Sequence, residues 1–231
     1  MHAALTPAAG SLAIALALAA APALAQTAAD ADAAGAQGHA HEHEHEHAHA
    51  HDEDMIHEGY FEDAQIEARP LADWEGEWQS VYPYLMDGTL DPVMARKAEQ
   101  GDKTAAEHRA YYETGYATDV GRIVIRGDAV RFERAGGEAV EGRYEGDGHE
   151  VLTYERGNRG VRYVFRKVGG DEDAPGFVQF SDHRIAPAAS GHYHLYWGDD
   201  RAALLEELTN WPTYYPASLD AEGVVAEMLA H

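Results

Sequence analysis

The chain has 231 residues, of which 41 are Asp or Glu and 17 are Lys or Arg, so its formal net charge is −24. A surface this acidic repels phosphate backbones and attracts cations, which excludes nucleic acid as a partner. Cysteine is absent. Disulfides and thiolate metal sites are therefore impossible, and any metal must be bound by histidine nitrogen or carboxylate oxygen.

Residues 1–25 are typical of a secretory signal peptide. Residues 12–21 form a short apolar run, and Ala23 and Ala25 supply the small side chains of a cleavage site before Gln26. The apolar run is too short to span a membrane. We therefore expect export to the periplasm, with no membrane insertion once the signal peptide has been removed.

Residues 26–54 predict a disordered linker that contains a histidine-rich segment. Histidine occupies every second position from 39 to 51, and glutamates stand between several of these histidines. So polar a segment cannot bury a core, whereas its neutral imidazoles bind zinc, copper or nickel. We interpret it as a metal-collecting tail with accessory, low-affinity sites. Its seven histidines are His39, His41, His43, His45, His47, His49 and His51.

The remaining residues, 55–231, are expected to form one domain. Its first part predicts short helices over 55–69, 92–99 and 104–113, and an aromatic segment over 71–85 that is β-prone toward its end. Short β-rich runs separated by glycine-containing turns then follow, at 123–125, 129–134, 138–145, 150–154, 160–167 and 176–182. A last strand is predicted over 192–197, and closing helices over 200–208 and 218–229, the second capped by Ser218. Regular short strands with tight turns indicate a mostly β or α+β fold, an antiparallel β-barrel with appended helices.

Three histidines near the end of the β-rich region form a candidate metal site. In a strand, residues two apart face the same side, so His192 and His194 project together. His183 is predicted on the preceding strand, with 186–191 as the hairpin loop. Paired residues in an antiparallel hairpin have a constant index sum, and a sum of 375 places His183 opposite His192, whereas 377 places it opposite His194. Either register brings three imidazoles to one face and leaves a fourth zinc position open.

The other histidines of the domain are interpreted as surface residues, namely His57, His108, His149 and His231.

Several sequence blocks of the domain resemble the ZinT (YodA) family of periplasmic zinc- and cadmium-binding proteins. They include DWEGEWQSVYP at 73–83, YYETGYATDV at 111–120, LTYERGNRGVRYVF at 152–165, QFSDHRIAP at 179–187, HYH at 192–194 and NWPTYYP at 210–216. The resemblance extends from about residue 59 to residue 231. It implies a lipocalin-like (calycin) barrel with helical additions and a metal site near one barrel mouth. Carried over block by block, the ligands are His183, His192 and His194.

The resemblance also implies a function. Members of the family bind zinc under scarcity and pass it to the periplasmic zinc-binding component of an ABC importer. Cadmium is a second metal of the family, and nitrogen ligation also admits Cu²⁺ and Ni²⁺. Members can carry a cysteine pair, which this chain lacks. From the function that the resemblance implies, we predict a zinc-binding metallochaperone that is not an enzyme.

Two other functions remain open from the sequence. Three histidines around an open zinc position could activate water, as a hydratase or hydrolase requires, although no motif such as H-E-x-x-H supplies a general base. A small closed barrel could instead carry one small organic ligand.

Overall fold

The computed structural model describes residues 54–230, which form a closed antiparallel β-barrel of eight strands together with helices. The predicted signal peptide, the linker and the histidine-rich segment up to position 53 lie outside the described residues, as does His231. Each strand pairs with the next, and the last strand closes onto the first through Gln79 and Tyr215. The predicted lipocalin-like barrel with appended helices is therefore confirmed.

The strands follow one another around the barrel in chain order. They are β1 (Gly76–Ser80), β2 (Val120–Arg126), β3 (Ala129–Arg134), β4 (Ala139–Thr153), β5 (Arg159–Gly170), β6 (Phe177–Ser181), β7 (Tyr193–Gly198) and β8 (Thr213–Pro216). The glycine-containing turn predicted between the runs 138–145 and 150–154, at Asp147 and Gly148, is wrong. Strand β4 continues through it as a bulge, where the register shifts between Gly146 and His149.

Helices fill the long connection between β1 and β2 and flank β8. They are α1 (Tyr82–Met86), α2 (Asp91–Gln100), α3 (Ala105–Tyr116), α4 (Arg201–Glu206) and α5 (Ala221–Ala230). Thr104 begins α3 with a capping box, since its hydroxyl accepts from the Glu107 N–H and the Glu107 carboxylate accepts from the Thr104 N–H. The last helix begins later than predicted, because the Asp220 carboxylate, rather than Ser218, accepts from the Gly223 N–H.

The segment before β1 is less helical than its sequence predicts. Residues 54–57 form one helical turn, and two 3-10 turns follow at Asp63–Gln65 and Leu71–Trp74. Strand β1 lies in the middle of the segment 71–85, and its end is the short helix α1 instead of a strand. Pro83 in the first turn of α1 is compatible with a helix start, which explains the difference.

The molecule has two apolar clusters, one on each side of the barrel wall at β8. Aromatic rings fill the barrel interior, among them Trp74, Tyr193 and Tyr214, all fully buried. The second cluster packs helices α1, α2, α3 and α5 against the outer face and includes Tyr215. A filled interior argues against the small-ligand carrier.

Within residues 54–230, no helix is long and apolar enough to cross a membrane.

Candidate metal centre

The three predicted histidines come together on the outer face of the barrel wall. Tyr193 lies fully buried in the interior, so the side chains on either side of it, His192 and His194, point outward. Their ring centroids are 6.4 Å apart. The ring of His183 lies 5.9 Å from that of His192 and 6.1 Å from that of His194. The cluster therefore faces the helical layer and not the barrel interior.

The register of the β6–β7 pair agrees with one of the two predicted registers, but the hairpin is longer than predicted. Ser181 pairs with His194, which gives the index sum of 375. Strand β6 ends at Ser181, so His183 lies in the connecting loop and not on a strand. Its φ is 63°, the one positive value among non-glycine residues in the part of the chain that the structure describes. This left-handed backbone turns the exposed ring toward the other two.

A buried ion-pair network fixes the loop that carries His183. The guanidinium of Arg69 donates to both carboxylate oxygens of Asp182, over 2.5 and 3.0 Å, and to Asp73 over 2.8 Å. The Arg69 and Asp182 side chains are 0% and 1% exposed. Arg69 also donates to the carbonyl of Ala188 over 2.8 Å, and the Ala188 N–H donates to Asp73 over 3.0 Å. The residue before His183 and the end of its loop are thus held by one guanidinium.

The second half of the cluster is oriented by strand β8. His194 pairs directly with Thr213, and its Nδ1 lies 2.8 Å from the Thr213 hydroxyl oxygen. That hydroxyl donates its one hydrogen to the carbonyl of Trp211 over 2.9 Å, so it accepts from an Nδ1–H. This hydrogen-bond pattern favours the tautomer in which Nε2 of His194 carries the lone pair that a metal needs.

The surroundings of His194 oppose protonation of its ring. Burial lowers the pKa of His194 well below its usual value, and the neighbouring His183, His192 and Arg162 lower it further, in that order. A neutral imidazole is the form that ligates metal, so this environment keeps the ring ready to bind.

The segment before β8 ties this strand to the helical layer. The side-chain amide of Asn210 donates to the carbonyls of Thr114, Gly115 and Ala117 at the end of α3, over 3.1, 3.2 and 3.0 Å. Trp211 lies so close to Gly115 that a Cβ there would come within 2.3 Å of its ring. This arrangement accounts for the N-W-P block. Because Asn210 donates to carbonyls that the end of α3 leaves without helical partners, it holds the start of β8 in place, and Thr213 in that strand pairs with His194.

Aromatic rings complete the wall around the cluster. The ring of His192 stacks on Tyr215 with centroids 5.0 Å apart and planes 8° from parallel. The three histidines line a cavity of about 330 Å³ between the barrel wall and helices α2, α3 and α5, together with Tyr112, Tyr116 and Trp211. The side chains therefore converge on a cavity that is lined by both imidazoles and aromatic rings.

The remaining histidines occupy different surroundings. His149 is exposed on β4, as predicted, whereas His108 on α3 is half-buried. His57 is also exposed, but its ring stacks on that of His183 with centroids 4.7 Å apart, and it lines the same cavity as the other three histidines. Sequence reasoning did not place His57 there, because neither strand periodicity nor a motif links it to His183.

Comparisons with known proteins agree with the barrel fold and with the binding of metal. The profile of the ZinT (YodA) family, described as periplasmic, lipocalin-like and zinc-recruiting, matches residues 52–231. The chain is 56% identical over 179 residues to the "Probable metal-binding protein YrpE" of Bacillus subtilis strain 168, a match that covers 77% of this chain and 71% of that protein.

A second group of relatives is larger than this chain. The zinc-binding lipoprotein AdcA of Streptococcus pneumoniae serotype 4 is 46% identical over 182 residues, which is 78% of this chain and 36% of AdcA. The crystal structure of the Zn(II)-bound ZinT-like domain of AdcA superposes with a TM-score of 0.73 at 45% identity, covering 75% of this chain and 97% of that domain. These relatives are named for metal binding and not for a reaction. From the profile match and these relatives together, the chain belongs to the ZinT (YodA) family.

Proposed function

We propose that this protein binds zinc through His183, His192 and His194 and serves in zinc supply outside the cytoplasm. The observation that supports this most strongly is the convergence of three imidazoles on one face, with centroids 5.9 to 6.4 Å apart. The free Nε2 of His194 and the zinc-binding relatives point the same way. The Zn(II)-bound relative is a whole domain of the same fold, which makes zinc the first metal to test.

The donor set suits zinc, and its spacing is slightly wide. With Zn–N distances of about 2.1 Å, a tetrahedral ion brings two bound imidazole centroids to about 5.2 Å. Within residues 54–230, no three histidine or carboxylate side chains already stand at full coordination spacing. Binding must therefore draw the rings together by about 1 Å, a shift within reach of an exposed ring such as that of His183. Zinc supplies no redox chemistry here, and these residues hold and release it.

The proposal also includes a route for the metal. The seven histidines between positions 39 and 51 would collect metal through many weak sites, and the barrel cluster would hold one ion more tightly. An importer component that binds zinc in the periplasm would then receive it by ligand exchange. Cd²⁺, Cu²⁺ and Ni²⁺ also accept imidazole nitrogen, so they are expected to bind the same cluster.

Zinc titration calorimetry on three forms of the signal-free chain tests this proposal. The first form is unaltered, the second has the seven tail histidines changed to alanine, and the third has His183, His192 and His194 changed to alanine. We expect the tail variant to lose the weak sites and keep one tight site. The triple variant should lose the tight site and keep the weak ones.

A matched control removes a histidine outside the cluster. His149→Ala changes an exposed imidazole on β4 and should leave the tight site as it is. A triple variant that still binds one zinc tightly would refute the assignment of the ligands. An unaltered chain with weak sites alone would show that the cluster does not hold zinc by itself.

A further inference from the structure

A fourth histidine, His57, stands against the three proposed ligands from a different part of the chain. Its ring stacks on that of His183, with centroids 4.7 Å apart and planes 29° from parallel. It lines the same cavity of about 330 Å³ as His183, His192 and His194. All four imidazoles therefore border one cavity.

The position of His57 is fixed by its neighbours in the chain. It ends a helical turn whose carbonyls accept from later N–H groups, Asp54 from Glu58 over 3.0 Å and Met55 from Tyr60 over 2.8 Å. Ile56, the residue before His57, packs against the barrel core. The turn thus has one side chain anchored in the core and the next directed at the cluster.

Gly59 fastens the same turn to strand β5. Its φ is 90°, and its carbonyl accepts from the Arg159 N–H over 2.8 Å. A Cβ at this position would lie 2.5 Å from the Arg159 carbonyl oxygen, so the two backbones approach as closely as glycine alone allows. The turn that presents His57 is therefore joined to the barrel at both a core contact and a backbone hydrogen bond.

We propose that His57 supplies the fourth ligand to the ion held by His183, His192 and His194, an inference that rests on the proposed function. Three protein ligands leave one tetrahedral position for an outside group. Two imidazoles on one zinc ion have centroids about 5.2 Å apart. The His57–His183 spacing of 4.7 Å is nearer to that value than the 5.9 Å between His183 and His192, so a small rotation of the rings brings His57 to coordination distance. The ligand set is then four neutral imidazoles.

This closure has a functional consequence. A zinc ion with four protein ligands has no bound water to activate, which is the arrangement of a holding site and not of a hydrolytic one. His57 is exposed at the end of this turn, so rotation of its side chain opens a coordination position without moving the turn or the other three ligands. An incoming donor can enter at that position, as ligand exchange with a partner requires.

Two carboxylates are the competing donors. Asp54 and Glu227 line an adjoining cavity with His57, His183 and His192, and either could offer an oxygen to the ion. A test must therefore identify the atom at position 57 that touches the metal and not just a change in affinity.

The absence of cysteine makes such a test possible. In a signal-free chain with the seven tail histidines changed to alanine, His57→Cys introduces the one thiol. With one equivalent of Co²⁺, a ligating thiolate gives a strong sulfur-to-cobalt charge-transfer absorption in the near ultraviolet, which an imidazole or carboxylate does not. We expect this band with His57→Cys and not with the control His149→Cys.

A second measurement uses zinc with the native ligand type. His57→Ala should lower zinc affinity by at least the roughly tenfold that loss of an outer-shell partner costs, and His149→Ala should not. Cobalt bound by the three other histidines without the charge-transfer band would overturn the role of His57 and leave the proposed function standing. Failure of the parent chain, with its native His57, to bind cobalt or zinc at a site sensitive to His183, His192 and His194 would overturn both.

Discussion

The two halves of the histidine cluster are held in place by different forces. His192 and His194 belong to the β7–β8 wall, where backbone pairing, the Thr213 hydroxyl and the ring of Tyr215 orient them. His183 lies in a loop with a left-handed backbone, and charged side chains hold that loop. The first half depends on the fold itself, whereas the second depends on a few long-range polar contacts.

The difference suggests how the site binds and releases an ion. The wall ligands change position little, because His194 belongs to a ladder of strand hydrogen bonds and His192, directly before that strand, stacks on Tyr215. A loop-borne ligand can move by the 1 Å or so that the ring spacing requires for coordination. His183 is therefore expected to close on the metal while His192 and His194 serve as the fixed part of the site.

The largest effect is expected from breaking the polar support of the loop. Arg69→Met leaves the carboxylates of Asp182 and Asp73 buried without their cation, which typically costs about 3–5 kcal/mol. Urea unfolding should show this loss, and zinc calorimetry should show weaker binding because His183 is no longer held. The wall half of the cluster should keep its structure.

The control for that prediction is an exposed pair. Arg96→Met removes the Arg96–Glu99 contact, whose side chains are 56% and 67% exposed, and should change stability by less than about 1 kcal/mol. Equal losses in the two variants would mean that burial of the Arg69 network does not matter.

The next largest effect concerns the wall half. Thr213→Val keeps the shape of the side chain but removes the hydroxyl that accepts from Nδ1 of His194. Loss of such an outer-shell partner typically costs about 10- to 100-fold in metal affinity. Calorimetry on this variant should show that loss, while Thr153→Val, on the exposed end of β4, should show none. Unchanged affinity would remove Thr213 from the site.

Local sequence patterns predicted the wall half better than the loop half. The H-x-H alternation predicts two histidines on one side of the chain wherever the backbone is extended, without any contact from elsewhere in the sequence. In the structure, His194 lies in β7 and His192 directly precedes this strand. Strand β8 was missed because it spans four residues and has Pro212 before it and Pro216 at its end, a composition typical of turns. Asn210 and Trp211, which hold it against α3, act through contacts that no periodic pattern reveals.

The loop half was predicted in outline but not in detail. A regular strand through His183 was expected, and the strand ends at Ser181. The reason is Asp182, whose partner Arg69 lies 113 positions earlier in the chain. Pairings over such distances are fixed by the closed barrel and not by neighbouring residues. His57 was missed for the same reason, since its contact His183 lies 126 positions later in the chain.

Acidification should lower the unfolding free energy of the metal-free protein, because His194 resists protonation in the folded state. Because burial lowers its pKa in the folded state, the unfolded chain takes up this proton first as pH falls below about 6.5. The stability contribution is therefore complete above that pH and is lost below it, by at most about 1.4 kcal/mol per pH unit. Urea unfolding with a chelator, from pH 7.5 to pH 5, should show the loss. His194→Gln should flatten the profile, and an unchanged slope would contradict the assignment.

The smallest effect is a change in unfolding free energy, which is expected to have opposite signs when glycine replaces a histidine in the loop half and in the wall half of the cluster. His183 has a φ of 63°, a backbone conformation that costs a residue with a Cβ about 1–2 kcal/mol and costs glycine nothing. His183→Gly should therefore raise the unfolding free energy of the metal-free chain by up to about 1 kcal/mol, since part of the gain is offset by the freedom glycine adds to the unfolded chain. His192→Gly should lower it, because it removes the stack on Tyr215 beside a strand. Both variants should lose tight zinc binding.

If the two variants change the unfolding free energy in opposite directions and lose zinc affinity alike, the strained backbone at His183 is maintained for the metal and not for the fold. If both variants lower the unfolding free energy, His183 belongs among the residues that support the barrel.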